Sequence, residues 1–239
     1  MTRGASFRAC VLSRARRKLP LVDSPDRHPV LLVHGMWKSH TAFNHLSRFL
    51  RARGFQVHAL DLVPSDGGLG LEKLGEQVAA YVETHLPAAV PLDLVGFSMG
   101  GVVSRYYVQR LGGLARVRRL VTVSAPHHGT AAAYLSNKPG SVQMRPNSPL
   151  LAELNRDIAM LERIDVTSIW TPLDLIIVPP ESSRLPLGRE VLVAAPLHGL
   201  MIHDPRALRA VTEALSAPLT ASARPPPSQR GASPPGAPG

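Results

Sequence analysis

PLDLVGFSMGGVVSRYY, residues 91–107, is the stretch from which the rest of the chain can be read. A short apolar run, Leu92–Val95, stops at Gly96, and a helix-like run starts just past Ser98. Between them lies Gly96-Phe97-Ser98-Met99-Gly100, a G-x-S-x-G in the strand–turn–helix context that gives the pattern meaning. A turn this tight strains the serine backbone, and side chains two positions to either side would collide. Glycines at 96 and 100 remove that collision and leave Ser98 Oγ exposed at the end of the strand. The helix that follows points its free N–H groups and the positive end of its dipole at the same oxygen. With strand, helix and the extra Gly101 in place, an incidental serine in a Gly-rich turn is the poorer reading.

Outward from this turn the chain alternates strand and helix, which predicts an α/β fold with a mainly parallel sheet covered on both faces. Strands are expected at Val30–Val33, Phe55–Leu60, Leu92–Val95, Leu120–Ser124, Thr167–Trp170 and Glu190–Val193. Helices are expected over Thr41–Arg53, Leu71–Leu86, Met99–Leu111 and Leu150–Ile164. A last helix opens at Asp204-Pro205, an N-cap residue followed by proline at the first helical position. Residues 71–86 carry an apolar stripe of Leu71, Leu74, Val78, Tyr81, Val82 and Leu86. No internal repeat is present.

At 239 residues the chain is sized for one domain, expected over 29–216. Residues 1–28 are basic and lack periodicity, and 217–239 are rich in Pro, Ala, Ser and Gly; both are expected to be disordered. The start has no apolar core of the kind a secretory signal needs, and no apolar run approaches the ~18–20 residues that span a bilayer. A cytoplasmic protein is the default expectation, with secretion open if translation starts upstream. The single Cys10 excludes an internal disulfide framework and a Cys-rich metal site. Net charge is +10, yet part of it sits in the N-terminal segment and the rest is scattered, as at Arg116, Arg118 and Arg119. Without zinc-finger spacing or an aromatic-plus-basic motif, a solvated basic surface is expected and no nucleic-acid partner.

In open α/β sheets the ligand site lies beyond the carboxyl ends of the strands. His34-Gly35-Met36-Trp37 follows the first expected strand, Ser98 the third and Ala125-Pro126-His127-His128-Gly129-Thr130 the fourth. Asp174 follows the fifth and His198 the sixth. A serine, an acid and a histidine in that chain order match the α/β-hydrolase arrangement.

On these residues the chain resembles a small bacterial lipase or esterase of the α/β-hydrolase superfamily. The matching pieces are LLVHGMW at 31–37, LVGFSMGGVVSRYY at 94–107, SAPHHGT at 124–130 and MRPNSPLLAELN at 144–155. Weaker ones are TPLDLIIVPPESS at 171–183 and LHGLMIHDPRALRAV at 197–211. The resemblance implies a six-stranded minimal form of the fold, lacking the first two strands of the full sheet, with strand order 4-3-5-6-7-8 in the superfamily's scheme. It implies at most a short lid, and residues 131–164 are the one insertion long enough to serve as lid or crossover.

The chemistry the resemblance implies is cleavage of carboxylic esters. Ser98 needs a base to become nucleophilic, and imidazole suits that task and can return the proton to the leaving alcohol. His198 sits where the superfamily's histidine lies; His203 is the runner-up. Asp174 would orient the imidazole, with Asp165 and Glu181 as weaker rivals. The backbone N–H of Met99 and, by resemblance, that of Met36 would form the oxyanion hole. His34, His127 and His128 are expected to be structural, and neither metal nor cofactor is expected, since no H-E-x-x-H or Cys/His spacing occurs. Expected partners are an ester or lipid substrate and a transient lipid interface, for a protein monomeric by default. An acyltransferase or thioesterase on the same triad stays open, as does a non-catalytic binding role.

Overall fold

The computed structural model describes residues 27–88 and 90–223. The expectations for the N-terminal segment through residue 26, and for the tail from residue 224 onward, fall outside the described residues. Six strands form one all-parallel sheet: β1 (Val30–Val33), β2 (Val57–Leu60), β3 (Leu92–Phe97), β4 (Val117–Val123), β5 (Asp165–Trp170) and β6 (Arg189–Leu192). Their order is β2-β1-β3-β4-β5-β6, the order expected for the minimal α/β-hydrolase sheet. The helices are α1 (Asn44–Arg51), α2 (Leu71–His85), α3 (Met99–Arg110), α4 (Pro139–Gln143), α5 (Pro149–Arg156) and α6 (Pro205–Ser216). Among the described residues no helix is long and apolar enough to cross a membrane.

Both faces of the sheet are covered, which is why its central strands read as near-continuous apolar runs. Leu31, Val33, Leu92 and Leu94 face α2 and α3, where Leu71, Leu74, Val78, Val102 and Val103 complete one core. Val30, Leu32, Val95 and Phe97 point to the other side and pack with Leu46 and Leu50 of α1 and Leu208 and Val211 of α6. The twofold alternation of strand side chains thus feeds two cores from the same residues.

Two expected helices and one expected domain boundary differ. The first helix begins as a 3-10 turn, His40–Phe43, whose start Ser39 caps by accepting from the Thr41 N–H. The helix expected over 150–164 breaks at Asp157: α5 ends at Arg156 and a 3-10 stretch covers Ile158–Arg163. Leu151, Leu154 and Leu161 of that stretch lie in the α2/α3 core, so most of the insertion packs as a crossover, while Tyr134 and Leu135 stand exposed at its near end. The packed domain also continues past the expected boundary at 216. Leu219 and Ala223 are buried, and Thr220 bonds the Asp165 carboxylate through its hydroxyl at 2.6 Å and its N–H at 3.1 Å.

The reading of the arginines as a solvated surface needs correction. Arg119 is only 2% exposed, and its Nη1 lies 3.0 Å from Asp93 Oδ2, which is fully buried on β3. The other Asp93 oxygen meets His28 Nδ1 at 3.2 Å, and Arg119 Nη2 donates to the Ala217 carbonyl at 2.6 Å. This buried cluster fastens both ends of the domain to the middle of the sheet. Arg116 is half-buried and donates to the Pro87 carbonyl at 2.9 Å. Removing one partner of such a pair leaves an uncompensated buried charge. Asp93→Ala should therefore lower the unfolding free energy by about 3–5 kcal/mol in urea titrations, while Asp93→Leu combined with Arg119→Leu should recover much of that loss.

Candidate active site

β3 ends at Phe97, α3 begins at Met99, and Ser98 makes the whole turn between them. Its backbone sits at φ 55°, ψ −127°, a region that non-glycine residues rarely adopt. Surrounding contacts hold it there. A Cβ on Gly96 would lie 2.5 Å from the Gly101 Cα, and one on Gly100 would run into the carbonyl oxygens of Val33 and His34. The start of α3 is thus pressed onto the end of β1, and only glycine fits at either position. Ser98 is half-buried and ends up above the sheet.

The loop after β1 lies against the serine. A Cβ on Gly35 would approach Ser98 Cβ to 2.8 Å, so the Gly35–Met36 backbone passes directly beside the hydroxyl-bearing residue. Three bonds set that path: Trp37 N–H to the Ser65 carbonyl at 2.8 Å, Leu62 N–H to His34 Nε2 at 2.9 Å, and His34 Nδ1–H to the Gly35 carbonyl at 2.9 Å. Because Nε2 accepts, the proton of this buried imidazole resides on Nδ1. Burial is the main cause that lowers its pKa below 6.5 and keeps it neutral. His34 braces the loop, as expected. Met99 N–H, at the first position of α3, belongs to the helix-end donors that have no intrahelical acceptor.

Asp174 and His198 come together. Asp174 lies four residues beyond the end of β5 at Trp170, and its Oδ2 is 2.8 Å from His198 Nδ1. Its Oδ1 accepts from the N–H groups of Ile176 and Ile177, each at 2.9 Å. Burial by itself would raise the pKa of this carboxyl. The hydrogen bond and charge of His198, with the two backbone donors, outweigh burial and hold it below 3.8. The His198 ring packs against that of Phe97, the residue before Ser98, with centroids 4.9 Å apart. Among the described residues Ser98 Oγ makes no hydrogen bond to the imidazole, a contact that in hydrolases often tightens only with substrate.

The rivals lie elsewhere. His203 is exposed and its ring faces His45 at 6.1 Å. Asp165 is committed to Thr220 at the opposite end of β5, and Glu181 is exposed in a 3-10 turn. His127 is fully buried, with Nε2 3.0 Å from Thr122 Oγ1. Burial, aided by the charges of Arg105 and His128, drives its pKa well below 6.5. Arg105 is itself buried; its Nε donates to Gln109 Oε1 at 2.7 Å and its Nη2 to the Leu154 carbonyl at 2.6 Å, and burial lowers its pKa to about 9. Among the described residues no cluster of three His, Cys, Asp or Glu side chains forms a metal-binding group.

Sequence reasoning passed over the residues that hold these loops to one another. Thr130 Oγ1 donates to the Ile176 carbonyl at 2.6 Å and accepts from the Val178 N–H at 2.9 Å, tying the loop after β4 to the Asp174 loop. Thr171 Oγ1 donates to the Ala195 carbonyl at 2.7 Å, tying the Asp174 loop to the segment before His198. Both threonines stood inside quoted motifs, but nothing in spacing distinguishes a bridging hydroxyl from a solvated one.

The two buried neutral imidazoles give the fold an acid limit. Their native pKa values lie below 6.5, so the unfolded chain takes up protons that the folded chain excludes once pH falls below about 6.5. Stability is complete above that value and should fall toward acid by up to about 1.4 kcal/mol per pH unit for each ring. Urea unfolding at neutral and mildly acidic pH should show this slope, and His127→Gln should reduce it.

Compared with known proteins, the chain matches the family model described as palmitoyl protein thioesterase over residues 29–163. It is 32% identical over 115 residues to a triacylglycerol lipase of Pseudarthrobacter phenanthrenivorans, covering 45% of this chain and 35% of that one. It is 33% identical over 122 residues to the lysosomal thioesterase PPT2 of Homo sapiens, covering 46% and 39%. The matched stretch therefore spans well under half the length of these relatives. Among solved structures, lipase BlEst2 of Bacillus licheniformis in mature form superposes with a TM-score of 0.63 at 16% identity, covering 81% of this chain and 94% of that one. Aspergillus fumigatus lipase B gives 0.68 at 16% identity, covering 82% and 54%. At such identity these likenesses establish the α/β-hydrolase fold. The family match includes Met36 and Ser98 and stops before Asp174 and His198.

Proposed function

The chain belongs to the palmitoyl protein thioesterase family, and from that premise we propose that it is a serine hydrolase cleaving carboxylic esters, thioesters among them, through an acyl-enzyme. Ser98 is the nucleophile, His198 the base and then the acid, and Asp174 the group that orients the imidazole. The backbone N–H groups of Met36 and Met99 stabilise the oxyanion. The observation that carries this reading is the 2.8 Å bond between Asp174 and His198 Nδ1, on an imidazole packed against Phe97 beside the strained serine turn.

The steps follow from those positions. With Nδ1–H held by the carboxylate, His198 Nε2 is free to take the Ser98 proton as Oγ bonds to the substrate carbonyl carbon. Negative charge moves onto the carbonyl oxygen and is met by the two N–H donors, each worth roughly 2.7–4 kcal/mol in other hydrolases. On collapse the C–O or C–S bond breaks and Nε2 returns the proton to the departing alcohol or thiol. Water then repeats the sequence with Ser98 as leaving group, releasing the carboxylic acid.

The surroundings suit an apolar acyl group. Leu135 is 90% and Leu175 74% exposed, and with Tyr134 and Leu173 they stand on the loops after β4 and β5, at the end of the sheet that carries Ser98. A thioesterase reading is favoured by the family description and by the lysosomal thioesterase among the relatives. It uses the same groups, and only the leaving atom differs.

p-Nitrophenyl esters from acetyl to palmitoyl, alongside acyl thioesters, test the proposal. Ser98→Ala and His198→Ala should each lower kcat by about 10³–10⁶, and Asp174→Asn by up to about 10⁴ through the wrong tautomer. Activity that survives His198→Ala but is lost in His203→Ala would reverse the choice of base. Undiminished turnover in Ser98→Ala would remove the serine mechanism.

A further inference from the structure

A second feature lies beside the candidate site and has no role in the steps above. The loop after β1 and the turn His198–Ile202 border an open, shallow cleft of 520 Å³. Trp37, Lys38, Ser39, Thr41 and Ala42 line one wall; Gly199, Ile202 and His203 line the other. Trp37 follows the residue assigned to the oxyanion hole, and Gly199 follows the residue assigned as base. In ester cleavage the imidazole delivers its proton to the departing atom, so the leaving group must lie on the imidazole's side. The cleft adjoins that side through Trp37 and Gly199, the chain neighbours of Met36 and His198.

Its chemistry differs from that of the exposed leucines on the loops after β4 and β5. Lys38 is exposed at its edge, and among the described residues no carboxylate is ion-paired with it. The nearby carboxylates are engaged elsewhere: Asp61 binds His40 Nδ1 at 2.7 Å and the His40 N–H at 2.6 Å, and Asp204 meets Arg206 Nη2 at 2.8 Å. The hydroxyls of Ser39 and Thr41 bond each other at 2.6 Å and supply further polar atoms. Trp37, 70% exposed at a backbone φ of 54°, offers an apolar face beside them. A long acyl chain gains nothing from a lysine and two hydroxyls, whereas a polar group bearing negative charge does.

We propose that this cleft is the leaving-group subsite, and that it selects alcohols or thiols carrying an anion, phosphate or carboxylate. Lys38 is its specificity-determining residue, and the face of Trp37 covers the uncharged portion of the leaving group. This inference rests on the ester-hydrolase reading and deepens it by naming the class of leaving group.

Three thioesters with one acyl group test it: neutral S-butyryl-N-acetylcysteamine, S-butyryl-N-acetylcysteine with one carboxylate, and butyryl-CoA with phosphates. At low salt, kcat/KM should be higher for the charged substrates, and the preference should shrink in about 0.5 M NaCl. Lys38→Met should lower the charged-to-neutral ratio of kcat/KM about tenfold, equivalent to ~1.4 kcal/mol. A response with both anions assigns a general anion site, and a response with CoA alone assigns a phosphate site; either supports the proposal. Equal kcat/KM for all three in the wild type, or a ratio unchanged by Lys38→Met, overturns it. If the wild type hydrolyses none of the three, the p-nitrophenyl esters decide the hydrolase reading, which fails only if they too are not cleaved. Calorimetric binding of free CoA, with and without Lys38→Met, then still decides the cleft: weaker binding in the variant upholds the anion site, and equal or absent binding overturns it.

Discussion

The start of α3 presses on the ends of β1 and β3 so closely that no side chain fits at Gly96 or Gly100. Everything at the candidate site follows from that contact. It leaves the chain one residue in which to turn from strand to helix, and forces Ser98 into a backbone conformation at φ 55° that costs of order 1–3 kcal/mol. The two cores on either side of the sheet hold the strain, since both strands and α3 are buried along most of their length. The result is a serine that cannot retract, with a helix N-terminus behind it and the Gly35–Met36 backbone beside it.

The loops around this fixed point are joined by buried polar contacts. His34 links the loop after β1 to the segment after β2, Thr130 links the loops after β4 and β5, and Thr171 links the Asp174 loop to the segment before His198. Each bond also satisfies a backbone group that would otherwise be buried without a partner. Carbonyls and N–H groups are thereby matched across five separate loops, which lets irregular chain hold the spacing of the candidate site without regular structure. The far end of the sheet is built by other means. There the Asp93–Arg119–His28 cluster binds both chain ends of the domain, so these buried charged groups serve cohesion.

Charge shows why composition alone misleads. A net charge of +10 suggests an acidic partner, yet several arginines serve the interior. Arg105 and Arg119 are buried, and Arg116 binds backbone carbonyls. Around the candidate site the distribution is local: Lys38 stands near His40, His203 and two carboxylates that are already engaged. Local pairing, and not the total, decides where a negatively charged group would be attracted.

The sequence by itself determined the fold class and the serine turn, because each depends on short-range rules, while the strand order was implied only by the family resemblance. Apolar runs and their spacing specify strands and helices, and the glycines at 96 and 100 declare a contact that no other residue could survive. The order of Ser98, Asp174 and His198 could be read as well, since each stands just past a strand. Only the tertiary structure decided that Asp174 and His198 touch while His203, five residues on, faces His45. It also decided that Arg119 is an internal ion-pair partner, and that the 150–164 segment breaks at Asp157 to lay its leucines on α3. The reason is range. A pairing between residues 24 or 26 positions apart, as in His198–Asp174 and Arg119–Asp93, is set by how the sheet brings their strands together, and no local pattern encodes it.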